Sequence, residues 1–409
     1  MKLCSEYMET NLKNDKKFIQ ISGNYNFAHI HLFLNIGANS DPYNKKGICH
    51  LCEHIFIESI IEAYSNKIID KNFYCIGYTD YDYTVFKFIV SNTNEHVTFL
   101  LSILHEYINS FSVKLRYIEK CKSEVIKEFT DRKEDIRRSF KINSFLTENK
   151  IDYVPMGRID DIYKLSIEDV EVYYRQYASN ANLVVFCNPS IRKFSCNNLA
   201  IGCSQLNNKK INENIEYKNI TNNKILNIDS RYRQQLKVYF KYTNRVFNEK
   251  ENAAIYILEI IMNYKICTLL DINIEEFSPI SFKRKIIDND YVFFILCINK
   301  YEEKKESNII KFVDNILEIS ISNIDVEQAK NVFYELINQI DYVDEGYTHN
   351  NIFHYLTNNE LLAVTKEQVN TLRNMVKCIS LEEICKIKEK IYNDNYKVIT
   401  NNLDNSKIQ

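Results

Sequence analysis

At 409 residues, the chain is long enough for two or three domains, and its content of 45% hydrophobic and 26% charged residues is typical of soluble globular proteins. Its net charge of −2 offers no basic surface for a polyanion, so nucleic acid is not an expected partner. No apolar run reaches the length of a membrane span, and the N-terminus lacks a signal-peptide pattern. Twelve cysteines without a regular spacing favour a reducing compartment, which predicts a cytoplasmic protein.

The first half of the chain alternates predicted strands and helices. In chain order these are a strand at 27–37, a helix at 48–64, strands at 72–80 and 83–90, helices at 95–111 and 116–136, and a strand at 182–188.

The second half repeats this order. Its predicted elements are a strand at 235–244, a helix at 250–266, a strand at 291–300, and helices at 306–318 and 325–341. The repetition predicts a duplicated α+β fold, in which two homologous domains each consist of a mostly antiparallel sheet packed with helices. An Asn- and Lys-rich stretch predicts a linker at 204–228 between domains at 1–203 and 229–409.

The stretch GICHLCEHIFIES, residues 47–59, concentrates cysteine, histidine and glutamate in the first helix of this plan. Cys49 and Cys52 form a C-x-x-C, which suggests a structural zinc site. Such a site normally needs a second close pair of ligands, and no other C-x-x-C occurs in the chain. This interpretation is therefore disfavoured.

A second interpretation uses His50, Glu53 and His54. Histidines four residues apart lie one above the other on a helix, so both imidazoles can face one metal ion. Glu53 lies beside that face, where it can take a proton from metal-bound water and return it to a leaving amine. The H-x-x-E-H pattern should arise by chance in about one such chain in a hundred.

A catalytic zinc needs a third protein ligand. The predicted helix 116–136 has an apolar stripe, and Glu128 follows Cys121 of that stripe by two helical turns. A surface glutamate is the ordinary interpretation of such a residue taken alone. With two histidines already in place, a carboxylate at the edge of a buried stripe favours a metal ligand.

These residues resemble the inverzincin zinc peptidases of the pitrilysin/insulinase type, whose H-x-x-E-H helix is followed by a glutamate ligand about 75 residues later. GYTDYDYTVF and CKSEVIKE resemble the family's N-A-x-T strand and its ligand helix. The resemblance implies an α+β (pitrilysin/insulinase-like) fold, with zinc held by His50, His54 and Glu128, and Glu53 as the general base. It also implies that the edge strand at Ile76, Gly77 and Tyr78 pairs with an extended peptide.

The chain departs from the family at several positions. The family's asparagine in N-A-x-T is Ile76, and its outer glutamate near the metal is Cys121, for which Glu124 is a candidate replacement. In the second half, Asn273 and Ile280 stand where the family has an arginine and a tyrosine that grip the substrate carbonyl. Arg284 and Tyr291 show the same interval, and they remain an alternative alignment.

The resemblance therefore implies a zinc-dependent endopeptidase that hydrolyses unstructured peptides or a precursor or leader peptide. The alternative is a non-catalytic subunit of the same fold that acts as a scaffold in a heteromeric complex. Because the substrate-orienting pair is missing, we expect a homologous subunit to supply an arginine and a tyrosine.

Overall fold

The structure is a computed structural model of the chain, and it describes most residues of each half. The described residues are 6–11, 17–109, 115–151, 153–178, 181–188, 191, 224–230, 235–242, 247–271, 280–288, 291–299, 305–339 and 366–403. Contacts divide the chain into two compact units, with residues 1–140 and 152–216 in the first and residues 217–341 in the second. The first unit also includes residues 342–348. The second unit also includes residues 141–151 and 349–409.

The first unit is an α+β unit with a single sheet. Its elements are β1 (Glu6–Asn11), β2 (Lys17–Ser22), β3 (Phe27–Leu34), a short 3-10 helix (Ala38–Ser40), α1 (Ile48–Ser65), β4 (Tyr74–Thr79), β5 (Thr84–Ser91), α2 (Asn94–Asn109), α3 (Leu115–Asp131), α4 (Lys133–Leu146), α5 (Ile159–Lys164), α6 (Ile167–Ala178) and β6 (Ala181–Cys187). The end of α4 groups with the second unit.

The sheet of the first unit has the order β1-β2-β6-β3-β5-β4. All neighbouring strands are antiparallel except β2 and β6, which are parallel. Helix α1 packs against the sheet through buried apolar side chains that include Leu51, Ile55 and Phe56, and these lie in one core with Leu32 and Phe86. Burying each such side chain stabilises the fold by about 1.5–3 kcal/mol, so α1 is firmly held.

The second unit repeats this architecture. Its elements are β7 (Ile225–Ser230), β8 (Gln235–Tyr242), α7 (Glu249–Leu269), β9 (Ile280–Asp288), β10 (Tyr291–Asn299), α8 (Glu306–Leu317), α9 (Asn323–Gln339), α10 (Lys366–Lys377), α11 (Leu381–Ile391) and β11 (Tyr396–Leu403). The sheet has the order β7-β11-β8-β10-β9, and only β7 and β11 are parallel. The expected α+β fold with mostly antiparallel sheets is therefore confirmed.

The prediction of one helix over 116–136 is wrong. The helix ends at Asp131, and α4 begins at Lys133 with Glu134 and Asp135 in its first turn, where acidic side chains favour a new helix start. The predicted linker at 204–228 is described only from residue 224 onward, and β7 occupies its last residues from Ile225. The strands at 6–11, 17–22 and 280–288 were not predicted.

Candidate metal and catalytic site

Helix α1 begins where two loops come into close contact. Gly47, the N-cap, has a φ of 102°, and a Cβ on Gly157 would lie 2.2 Å from the Cα of Gly47. Both positions therefore require glycine. The buried carboxylate of Asp41 accepts hydrogen bonds from the backbone N–H groups of Gly47 at 2.7 Å and Cys49 at 3.1 Å. Asp41 thus caps the helix from outside it and sets where its first turn lies.

Three side chains converge at the second turn of α1. Oε2 of Glu128, on α3, lies 3.6 Å from Nε2 of His50 and 3.6 Å from Nε2 of His54. These distances are too long for good hydrogen bonds. Ligands of a tetrahedral zinc ion, at 2.0–2.2 Å from the metal, are about 3.4 Å apart. The two distances from Glu128 therefore match those expected between ligands of one zinc ion.

The two helices that bring these side chains together are joined by ion pairs along their exposed edges. Lys120 on α3 contacts Glu58 on α1 at 2.5 Å, and Arg116 contacts Glu62. Pairs of this kind contribute little stability singly. Together with the buried face of α3, they set the rotation of α3 that turns Glu128 toward the histidines.

The electrostatics of the group keep lone pairs available for a cation. Burial, followed by the neighbouring His54, lowers the pKa of His50 to about 3, so its imidazole is neutral. The neighbouring His54 contributes most to lowering the pKa of Glu128, to about 2. Burial opposes protonation of His54, yet the carboxylates of Glu128, Glu53 and Glu124 raise its pKa. A metal ion bound to His54 in place of that proton would be stabilised by the same carboxylates.

Glu53 lies on the same helix but is held differently. Its carboxylate is 4% exposed, and Oε2 accepts a hydrogen bond of 2.5 Å from Oγ1 of Thr79 on β4. Burial raises the pKa of Glu53 to about 7, so it can both accept and release a proton near neutral pH. One ligand atom from each of His50, Glu53 and His54 lies within 4.8 Å of the others, so the carboxylate is close to where a metal would sit.

Glu124 and Cys121, the two candidates for orienting a metal ligand by hydrogen bonding, lie in different surroundings. Oε2 of Glu124 lies 3.5 Å from Nδ1 of His54, on the side of the ring away from Glu128. Cys121 is fully buried in the core, where it packs as an apolar side chain. Nη1 of Arg132 donates to Oε1 of Glu128 at 2.6 Å, which leaves Oε2 to face the histidines. Nδ1 of His50 is buried and has no hydrogen-bond partner within the described part of the chain.

Strand β4 lies at the edge of its sheet, and among the described residues its one strand partner is β5. Ile76 and Tyr78 point to its exposed face, with 47% and 57% of their surfaces accessible. Gly77 faces Glu53, because a Cβ there would lie 2.5 Å from Oε1 of that carboxylate. The free edge of the strand therefore runs beside the candidate base.

The structure describes three of the four second-half residues considered for orienting a substrate. Asn273 lies outside the described residues, and Ile280 is buried at the start of β9. Nε of Arg284 donates to the hydroxyl of Tyr242 at 3.0 Å, and Tyr291 is 6% exposed. The two residues of the alternative alignment therefore take part in packing within their own unit.

Sequence reasoning missed Asp41 and Thr79. Asp41 lies six residues before the N-terminus that it caps, outside any capping-box spacing. Thr79 belongs to the strand that resembles the family's N-A-x-T strand. Because Thr79 and Gly77 are two residues apart, they lie on the same face of that strand, and this spacing could have placed Thr79 near Glu53.

Comparison with known families agrees with this geometry. Residues 18–145 match the sequence profile of the insulinase family, peptidase family M16. No curated protein sequence gives a significant match. The resemblance to pitrilysin/insulinase-type peptidases is confirmed, and the matched segment contains α1, β4 and α3.

Solved structures of similar fold cover nearly the whole chain. The periplasmic protease PqqL from Escherichia coli matches with a TM-score of 0.69 and 15% identity over 98% of this chain and 48% of PqqL. The chain thus spans about half the length of PqqL. An M16-like peptidase from Alicyclobacillus acidocaldarius matches at a TM-score of 0.67, 15% identity and 98% and 99% coverage. An inactive M16 domain from Pseudomonas fluorescens matches at 0.65, 10% identity and 97% and 98% coverage.

No helix among the described residues is both long and apolar enough to cross a membrane.

Proposed function

We propose that this chain, which has the M16 peptidase fold, is a zinc-dependent endopeptidase subunit. His50, His54 and Glu128 would hold the zinc ion. When bound, zinc supplies a Lewis acid for the scissile carbonyl and a water of lowered pKa. Glu53 takes the proton of the attacking water and returns it to the departing amine, for which its pKa of about 7 suits both directions.

The observation that carries this proposal is the convergence of Glu128 Oε2 on both histidine Nε2 atoms at 3.6 Å. Glu128 is a better third ligand than Glu53, since Oε2 of Glu53 is already bound to Thr79. Glu124 is the outer carboxylate that orients His54, because it meets Nδ1 rather than Nε2.

The substrate class follows from β4. An extended peptide can add to the free edge of this strand through main-chain hydrogen bonds, beginning at Ile76, Gly77 and Tyr78. Only an unfolded segment can pair in this way, so we propose unstructured peptides, such as a precursor or leader peptide, as substrates. The free thiols of all described cysteines support a reducing, cytoplasmic setting.

The proposal also includes a partner. Arg284 and Tyr291 are engaged within their own unit, so a homologous subunit would supply the arginine and tyrosine that orient the substrate carbonyl. The similarity to an inactive M16 domain supports the alternative, a non-catalytic scaffold subunit. A buried carboxylate and two histidines around one point favour the enzyme, because a scaffold gains nothing from burying them.

The experiment is cleavage of quenched peptides by the zinc-loaded chain, alone and mixed with a related M16 chain. We expect little turnover alone and a gain of at least about 10²-fold in the mixture, since positioning accounts for such factors. Full activity alone, lost in Arg284→Ala, would contradict the partner and support the alternative alignment. Zinc-loaded protein without turnover in any mixture would favour the scaffold.

A further inference from the structure

The hydroxyl of Thr79 forms a short hydrogen bond with the carboxylate of Glu53. Oγ1 donates to Oε2 at 2.5 Å, and the two side chains are 8% and 4% exposed. A hydrogen bond to a charged group in a buried setting is stronger than one between neutral groups in water. The bond therefore restrains the carboxylate rather than merely accompanying it.

Gly77 leaves room for the other oxygen of Glu53. A Cβ at this position would lie 2.5 Å from Oε1 of Glu53, so the carboxylate occupies the space that a side chain would need. Thr79 and Gly77 point to the same face of β4 because they are two residues apart. The edge strand thus holds Glu53 from one side while α1 holds its backbone.

The neighbouring threonine of the sheet shows that this is a specific arrangement. Thr84 is the cross-strand partner of Thr79 and is also buried. Its Oγ1 donates to the backbone carbonyl of Ile36 at 3.0 Å and contacts Sγ of Cys49. The two buried threonines are cross-strand partners, but Thr84 donates to a backbone carbonyl and Thr79 donates to the candidate base.

We propose that Thr79 is a positioning residue that fixes the carboxylate of Glu53 for proton transfer, so that the substrate-binding strand itself orients the base. This inference rests on the proposed function. A base held within hydrogen-bond reach of the attacking water transfers the proton efficiently, and a rotated carboxylate does not.

The first test needs no turnover. Thr79→Val should lower the Tm of the metal-free chain, and the fall should be smaller in the Glu53→Leu background, where the acceptor is gone. Thr84→Val is the matched control, and its effect on Tm should be equal in both backgrounds. Equal falls for Thr79→Val in the two backgrounds would overturn the inference.

The second test uses the chain in its active form, alone or with its partner subunit. Thr79→Val should lower kcat about 10–100-fold with KM and bound zinc unchanged, and Thr79→Ser should restore most of the rate. Thr84→Val should leave kcat unchanged. Wild-type kcat in Thr79→Val, with Glu53→Gln inactive, would overturn the inference alone. Wild-type kcat in Glu53→Gln would overturn the proposed function.

Discussion

Helices α1 and α7 occupy the same place in two sheets of the same topology. Leaving aside β1, the strand orders β2-β6-β3-β5-β4 and β7-β11-β8-β10-β9 correspond one to one, and the single parallel pair is at the same position in each. Each helix follows the third strand of this order in the chain, β3 or β8, and buries one face on its sheet. The second unit is therefore an internal control for what the fold requires.

The two helices differ where the candidate site lies. Counting from the N-caps Gly47 and Asn248, the positions of Glu53 and His54 correspond to Ala254 and Ile255 in α7, and both of those are buried. Apolar side chains are thus sufficient to dock this helix. The polar group in α1 makes burial more costly, so a function, rather than the fold, accounts for it.

The largest expected effect is on turnover. Glu53→Gln should lower kcat about 10²–10⁴-fold, because an amide cannot accept the proton of water, while zinc remains bound. Glu119→Gln on α3, whose side chain is exposed, is the control and should leave kcat unchanged. Turnover near the wild-type level in Glu53→Gln would show that Glu53 is not the general base, so α1 would no longer differ from α7 in function.

Because Asp41 caps α1 with a buried carboxyl group, we expect the stability of the chain to depend on pH. Burial raises the pKa of Asp41 to about 7, despite Lys46, the N–H groups of Gly47 and Cys49 and the hydroxyl of Tyr173, all of which lower it. A raised pKa favours the protonated folded state, so this stability is complete below about pH 4 and is lost as the pH rises through about 7.

Asp41→Asn has no such titration. The free energy of unfolding of the wild type should therefore fall, relative to that of Asp41→Asn, by on the order of 3 kcal/mol between pH 4 and 8. Denaturant unfolding at several pH values measures this. A difference that is constant over the range would show that Asp41 stays ionised in the folded chain.

Glu124 should increase the affinity of the site for zinc. Glu124→Ala should weaken zinc binding about 10–100-fold, since it removes the group that orients His54 through Nδ1. Glu119→Ala on the same helix, which is 81% exposed in its side chain, is the control. Competition with a chelator measures both. Complete zinc loss in Glu124→Ala, with binding kept in Glu128→Ala, would exchange the roles of the two glutamates.

The smallest effect tests the local cap of α7. Asn248 accepts from the N–H of Glu251, and the side chain of Glu251 accepts from the N–H of Asn248. Asn248→Ala should cost about 1 kcal/mol of unfolding free energy without altering zinc affinity. Weaker zinc binding in this variant would mean that the two helices are not independent.

Sequence patterns predicted the H-x-x-E-H helix and many of the elements that bury an apolar face, but not α6 or α11. His50 and His54 share a helical face by spacing alone, and the stripe through Cys121 indicated which glutamate of α3 turns inward. Long-range contacts were not available in this way. Neither the cap from Asp41 nor the bond from Thr79 to Glu53 has a local spacing, because each depends on how a loop or strand packs on α1.

We propose that the first unit binds zinc on a helix whose counterpart in the second unit buries Ala254 and Ile255 at the positions of Glu53 and His54. Metal analysis of the purified chain after equilibration with zinc tests it most directly, with Glu128→Ala measured beside the wild type. We expect about one zinc ion per wild-type chain and none in Glu128→Ala, with both unfolding cooperatively. A wild-type chain that binds no zinc, or a Glu128→Ala chain that binds it as tightly, would contradict this proposal.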